Sequence, residues 1–416
     1  MVRVDGKPAE EVFKLIEEEK VRQTEGLEMI ASENYVSSDV LKATGSILTN
    51  KYAEGYPGHR YYGGCHVIDE IESLAIERLK QLFKCDFANV QPHSGSSANM
   101  AAYFATMQPG DVLLGQSLDS GGHLTHGAKV SFSGKIYQSH SYGLSPATGL
   151  LDYDEIEKIA KEVKPKVIMC GYSAYPRKLD FVRFKEIADK VGAVLIADIA
   201  HIAGLVAKGY HDSPIGIADI VTSTTHKTLR GPRSGIIMTN NEELAKKINK
   251  AIFPGIQGGP LEHVIAGKAI AFGEALTDDF KTYIGSVLEN MQTLAKTLQS
   301  FDFDLVTGGT DNHLILVDLR NKAVSGVEFE IALDKAGITV NKNSIPKDPS
   351  PPQVTSGVRV GTAALTSRGM GIKEMQRIAE LFNRVADQPN DEKMLLEIKE
   401  EIKHMTKSFP VPGMEG

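Results

Sequence analysis

Cysteine is scarce in this chain: three residues, Cys65, Cys85 and Cys170, are scattered through 416 positions. An odd, dispersed set argues against a disulfide framework and against a Cys-based zinc cluster, so no metal is expected and a reduced cytoplasm fits best. No Lys/Arg-rich run occurs, and the formal charge is −7. The electrostatic footprint of a nucleic-acid binder is therefore missing. Long apolar runs are also lacking: the most apolar stretch, 194–207, is interrupted by Asp198 and His201. It is too short and too polar to span a bilayer, so no membrane partner is expected. The N-terminus, a short polar stretch followed by an acidic run over 11–20, has neither an apolar signal core nor an acid-poor transit pattern. No Walker-type lysine motif appears, which argues against a nucleotide-triphosphate site.

What is present is an ordinary globular composition, 42% hydrophobic and 24% charged. A chain of 416 residues exceeds what one core usually supports, so more than one domain is expected. Between about 70 and 240, short β-branched runs alternate with helical patterns. That alternation predicts an α/β fold, doubly wound, with helices on both faces of a mostly parallel sheet. The strand runs are 87–91, 112–115, 167–170, 194–198, 220–223 and 235–239, and the crossover helices are 68–82, 153–162 and 184–191. From Asp278 the texture changes to a long amphipathic run over 278–300, a strand over 314–319 and helices over 326–336 and 372–385. This predicts a smaller α+β domain. Four prolines within 346–352 make that stretch a loop. The expected division is a helical arm over 1–50, a large domain over 51–277 and a small domain over 278–416.

Three elements carry chemistry. The run Thr222-Ser223-Thr224-Thr225-His226-Lys227-Thr228, followed by Gly231-Pro232-Arg233, puts a lysine just beyond a strand's carboxyl end, where open α/β sheets bind ligands. Burial would lower the pKa of that amine and free it as a nucleophile for a Schiff base. Upstream, the apolar strand 194–198 ends in Asp198, followed by His201. A carboxylate at the same sheet edge can keep a pyridine nitrogen protonated and make the ring an electron sink; alone, it is equally a capping aspartate. The third element, Gln91-Pro92-His93-Ser94-Gly95-Ser96-Ser97-Ala98-Asn99, is a small-residue turn into a helix expected to begin near Ala98. It predicts an anion site of backbone amides with Ser94 and Ser96 as hydroxyl donors, or else a plain Ser-capped helix.

Phosphate cradle, carboxylate and lysine in that order are the parts that pyridoxal phosphate needs. Around them stand Met29-Ile30-Ala31-Ser32-Glu33-Asn34, Asn50-Lys51-Tyr52-Ala53-Glu54-Gly55-Tyr56-Pro57-Gly58, Arg60-Tyr61-Tyr62-Gly63-Gly64, Gly121-Gly122-His123-Leu124-Thr125-His126-Gly127 and Ser356-Gly357-Val358-Arg359-Val360-Gly361-Thr362. With these, the chain resembles the serine hydroxymethyltransferases from end to end.

The resemblance implies a fold-type I pyridoxal-phosphate-dependent transferase that moves the hydroxymethyl carbon of serine to tetrahydrofolate. Lys227 would be the Schiff-base lysine, Asp198 the partner of the pyridine nitrogen, and His123 the ring that stacks on the cofactor. Ser173 and His201 would approach the cofactor hydroxyl; Ser94, Gly95, Ser96 and His226 would cradle its phosphate, with Arg233 nearby. Thr224 and His226 would stand beside the reacting centre. Gly258, Gly259 and Tyr52 would reach the cofactor from an identical subunit, and Glu54 and Tyr62 of that subunit would serve as acid–base and substrate groups. Arg359, assisted by Ser32, would take the substrate carboxylate with its planar fork. Leu118, Gly122, Leu124 and Asn343 would contact the pterin, flanked by Pro351, Pro352 and Gln353, where the family's usual Ser-Pro-Phe is replaced. The competing expectations are a folate-independent aldolase for threonine-type β-hydroxy amino acids and a non-catalytic protein that kept the fold. Glu54 and the 118–124 segment weigh against the first, and Lys227, Asp198 and Arg359 against the second.

Overall fold

The computed structural model describes residues 8–414. A seven-stranded sheet is its centre: β1 (Phe87–Asn89), β2 (Val112–Gln116), β3 (Gln138–Tyr142), β4 (Val167–Gly171), β5 (Val194–Asp198), β6 (Ile220–Thr224) and β7 (Gly235–Thr239). Their spatial order is β1-β7-β6-β5-β4-β2-β3, and only β7 runs antiparallel to its neighbours.

Side-chain alternation explains why helices must cover both faces. In β4, Ile168 and Cys170 join one apolar cluster while Val167 and Met169 join the other. The same split divides Leu195 and Ala197 from Ile196 in β5. Among the covering helices are α1 (His66–Phe83), α2 (Gly95–Thr106), α3 (Tyr153–Val163), α4 (Phe181–Val191) and α5 (Glu262–Leu276).

A second core gathers beyond residue 278, around a four-stranded antiparallel sheet of β8 (Asp304–Leu305), β9 (Leu314–Asp318), β10 (Asn341–Asn343) and β11 (Gly357–Gly361), ordered β8-β9-β11-β10. Leu27–Glu28 pairs in parallel with Ile338–Thr339, and Leu27 and Met29 are buried in this second core. The helix Pro8–Glu25 precedes them, and the long amphipathic run is the helix Asp278–Ser300, capped by Thr277.

Three expectations are corrected. Strand β1 stops at Asn89 rather than 91, because Gln91 turns away to bond Gly55 O and Glu72. The helix expected from Ala98 begins at Gly95: the Ser94 hydroxyl accepts from Ser97 N–H at 3.1 Å, so the small-residue turn is already its first turn. Strand β3 was not foreseen; it pairs only with β2 at the sheet edge, and its sequence Gln138-Ser139-His140-Ser141-Tyr142 is mostly polar. The 346–352 loop is irregular as expected, and Asp348 organises it. Its carboxylate accepts from the amides of Ile345, Ser350 and Ser356 and from the Ser356 hydroxyl at 2.6 Å.

Candidate active site

The carboxyl ends of the parallel strands open onto a cavity of about 420 Å³ lined by His93, Ser94, Gly95, Ser96, His123, Tyr172, Ser173, Asp198, His201, Thr224, His226, Lys227 and Arg233, with Ser32 and Arg359 closing it. It lies where the right-handed crossovers of an open sheet leave room for a ligand.

Asp198 is the last residue of β5, level with Gly171 on one side and Thr222 on the other. Its Oδ1 accepts from Ala200 N–H at 3.0 Å, and its Oδ2 accepts from Asn99 Nδ2 at 2.9 Å and His126 Nε2 at 3.1 Å. His126 Nδ1 accepts from His123 N–H, which leaves the ring proton on Nε2, facing the carboxylate. Asn99 is oriented in turn, accepting from Thr222 Oγ1 at 2.6 Å and donating to Thr125 Oγ1 at 2.8 Å. Burial would raise the pKa of Asp198, but the bond and charge of His126 outweigh it and hold the carboxyl well below the usual range. An ionised carboxylate at this spot suits a protonated pyridine nitrogen.

Lys227 follows β6 by three residues, and its carbonyl is pinned by Asn34 Nδ2 at 2.9 Å. Its ammonium is buried, and burial pushes the pKa down to about 8, with Arg359 and Arg233 acting in the same sense and Asp198 opposing them. Arg359 projects from β11 with Nη1 on Ser173 O at 2.7 Å, Nε on Asn341 Oδ1 at 3.1 Å and Nη2 toward Ser32 Oγ at 3.4 Å. Burial lowers its pKa to about 10. His201 stacks on His313, with Nδ1 and Nε2 at 3.3 Å, and burial holds it neutral. Burial and the neighbouring His126 push the His123 ring down to about 4, and its Nδ1 accepts from Thr125 N–H.

The cavity fits pyridoxal phosphate on two structural grounds. Thr224 Oγ1, His226 Nδ1 and His93 Nε2 line it as buried polar atoms without a hydrogen-bond partner, an arrangement that costs stability until a polar ligand satisfies them. The helix start is also built for close approach: a Cβ on Gly95 would stand 2.6 Å from Thr224 Cγ2. The first-turn amides of Gly95 and Ser96 have no acceptor within the helix and suit an anion. The Ser94 hydroxyl also serves as the helix cap, accepting from Ser97 N–H at 3.1 Å.

Not every expected residue converges there. Tyr52, Glu54, Tyr62, Gly258 and Gly259 form a separate cluster: Tyr52 donates to Glu54 Oε1 at 3.4 Å, the Tyr52 and Tyr62 rings meet edge-on at 5.1 Å, and a Cβ on Gly258 would lie 3.0 Å from Glu54. Tyr52 and Tyr62 are 54% and 47% exposed and do not line the cavity of their own chain. Leu118 and Leu124 are exposed on turns either side of His123, Asn343 ends β10, and Pro351, Pro352 and Gln353 are exposed at the loop tip. Gly122 has no room for a side chain, since a Cβ would come 2.1 Å from Gln116 O.

Residue-by-residue reading missed Asn99, Thr125 and His126 as the holders of Asp198, and Tyr172 and His313. The spacing of His123 and His126, three apart on a 3₁₀ turn, was a usable signal because such residues eclipse. Asn99 and His313 gave none, for their roles depend on which strands lie side by side.

Known proteins agree with this geometry. A family model described as serine hydroxymethyltransferase matches residues 6–382. Curated proteins named serine hydroxymethyltransferase from Helicobacter pylori strains ATCC 700392 / 26695 and Shi470 are each 59% identical over 401 residues, covering 96% of this chain and 96% of theirs. A lysine, a carboxylate and a phosphate cradle at one sheet edge, within a sequence matched over nearly its whole length, place this chain in the serine hydroxymethyltransferase family.

Proposed function

We infer that this chain transfers the hydroxymethyl carbon of serine reversibly to tetrahydrofolate, giving glycine and 5,10-methylenetetrahydrofolate, with pyridoxal phosphate as cofactor. The observation that carries the reading is the convergence of Lys227, Asp198, the Gly95 turn and Arg359 on one cavity. The folate-independent aldolase is not favoured.

When bound, the cofactor supplies an electron sink for the substrate's α-carbon. Lys227 is its covalent anchor: a buried amine with a pKa near 8 is partly unprotonated at neutral pH and can yield its place to the substrate amine. Asp198, ionised and triply bonded, holds the proton on the pyridine nitrogen. The Gly95 and Ser96 amides with His226 and Arg233 take the phosphate, and Arg359 with Ser32 takes the substrate carboxylate. His123 would lie against the ring face, and Ser173 and His201 would approach the cofactor hydroxyl. Thr224, with an unpartnered hydroxyl, stands beside Lys227.

The exposed cluster of Tyr52, Glu54, Tyr62, Gly258 and Gly259 is the half of the site offered to an identical subunit, with Glu54 exchanging the proton of the serine hydroxyl. Leu118, Gly122, Leu124 and Asn343 form the pterin wall, and Pro351, Pro352 and Gln353 its rim. Loss of the rim aromatic favours a reduced or modified pterin that does not rely on stacking there. The division into 1–50, 51–277 and 278–416 has two separate cores in its favour, although Phe280, Tyr283, Ile284 and Val287 pack with the first core and Leu27 and Met29 with the second. None of the described helices is long and apolar enough to cross a membrane, and a cytoplasmic enzyme agrees with the free cysteines.

The test is to reconstitute with pyridoxal phosphate, reduce with borohydride and map the label. Recovery on Lys227 is expected, and a colourless protein or a label elsewhere overturns the reading. Glycine with tetrahydrofolate should then produce the long-wavelength absorbance that accompanies loss of the α-proton; silence with every pterin would favour the aldolase.

A further inference from the structure

A buried set of charges that the chemistry above does not use lies beneath the site. Arg60, whose side chain is 4% exposed, donates Nε to Asp69 at 2.8 Å and Nη2 to Glu72 at 2.6 Å. Its Nη1 donates to Ala53 O at 2.9 Å and Gly55 O at 3.0 Å, the two carbonyls that bracket Glu54. Gln91 Nε2 bridges the same region, donating to Gly55 O at 2.9 Å and to Glu72 Oε1 at 2.8 Å. Beyond Glu72 lies Lys268 of α5, fully buried, whose ammonium donates to Val90 O and to Gly235 O at 2.9 Å and reaches Pro92 O at 3.4 Å. Those carbonyls immediately precede the His93–Gly95 turn and meet the strand that a Cβ on Gly235 would drive into Ser94 O.

Such a network is costly to bury. Charges removed from water are tolerated only when paired and bonded throughout, and replacing them by apolar residues is often no worse for stability. Here the carbonyls they grip, Gly235 O apart, belong to one of two functional segments. A guanidinium nitrogen shared by the carbonyls on either side of Glu54 fixes the backbone there more tightly than one contact could.

We propose that Arg60 is a positioning residue for Glu54, and that through Glu72 and Gln91, whose flanking carbonyls Lys268 holds, it ties the Glu54 segment to the phosphate cradle of the same chain. The inference rests on the reading that Glu54 serves the cavity of a second copy. On that reading the network joins the two sites of a dimer, since one end aims a residue into the partner's cavity and the other shapes its own.

The test uses hybrids. Glu54→Gln and Lys227→Ala chains, each inactive alone, are mixed under subunit exchange; each hybrid then has one intact site, built from the Glu54→Gln chain's cavity and the other chain's Glu54. Arg60→Lys placed on the Lys227→Ala chain should lower the hybrid's kcat with serine roughly a hundredfold, the scale of a misplaced catalytic group. The glycine dissociation constant should stay unchanged. The same substitution on the Glu54→Gln chain should spare kcat. Lys268→Met should show the opposite asymmetry, weakening cofactor binding, read by absorbance titration, only when it lies on the cavity chain. Gln91→Met, a milder change, repeats the Arg60 test if Arg60→Lys fails to fold. An inactive mixture overturns the shared-site reading and this inference with it. An active mixture in which Arg60→Lys acts equally from either chain overturns the inference alone.

Discussion

At the scale of single residues, Lys227 is governed by burial. The amine is pushed down to about 8, so it is mostly charged below that pH and free above it. Capture of the cofactor by the apoprotein should therefore quicken as pH rises through about 8, and a stopped-flow rate that is flat across that range would contradict the assignment. The stability sign follows from the same shift. The folded state loses its proton before the unfolded state does, so the penalty for burying the ammonium is full below about 8 and fades as pH rises toward the ordinary lysine value. A second prediction concerns the 2.6 Å gap between a Cβ on Gly95 and Thr224 Cγ2. Gly95→Ala should weaken cofactor binding by about tenfold, as expected when a close backbone approach to a ligand is lost. Thr224→Ser, which removes Cγ2 but keeps the hydroxyl, should restore much of it in the double variant. Equal affinities for the single and double variants would remove the steric argument.

At the scale of elements, the strands of the sheet interior were legible because burial on both faces demands nearly continuous apolar residues, as in Val194-Leu195-Ile196-Ala197. Strand β3 was not legible, since an edge strand needs only a partner on one side and tolerates polar residues. Helix α5 escaped for the opposite reason: Glu262, Gly267, Lys268, Ala269, Ala271 and Phe272 are buried around more than half of its circumference, so the period is blurred. The helix Glu392–Thr406 was likewise not anticipated. The start of α2 was misplaced because Gly and Ser resemble turn residues until Ser94 is seen to cap. Removing that cap, Ser94→Ala, should cost about 1 kcal/mol in thermal or denaturant unfolding. In the 344–356 loop, Asp348 gathers three amides and one hydroxyl. Asp348→Ala should loosen the rim proposed for the pterin, raising its KM several-fold while the absorbance of the bound cofactor stays unchanged; a spectrum that shifts with KM would place the loop's influence elsewhere.

At the scale of the whole molecule, contacts between distant parts of the chain decide. Arg368 donates to the carbonyls of Gln23, Thr24 and Gly26 at the end of the first helix and to Phe409 O near the C-terminus. Arg368→Met leaves those carbonyls without their charged donor and should destabilise the fold by about 2–4 kcal/mol. Limited proteolysis near residue 25 would register the release, and unchanged protection would refute it. If the exposed Glu54 cluster serves a second copy, specific activity should fall on dilution in step with dissociation measured by light scattering.

The sequence by itself determined the alternating sheet and the family, and singled out Lys227, Asp198 and Arg359 as candidates, because periodicity and chemically demanding motifs are local. Tertiary structure alone decided that His126 and Asn99 hold Asp198, that the Glu54 cluster lies outside its own chain's cavity, and that Arg60 reaches Gln91 through Glu72, beside the carbonyls Lys268 holds. Those relations join residues far apart in the chain, 178 positions in the case of Lys268 and Val90. They exist only once strands take a spatial order that no local pattern encodes, and once burial makes each unpaired charge too costly to leave without its partner.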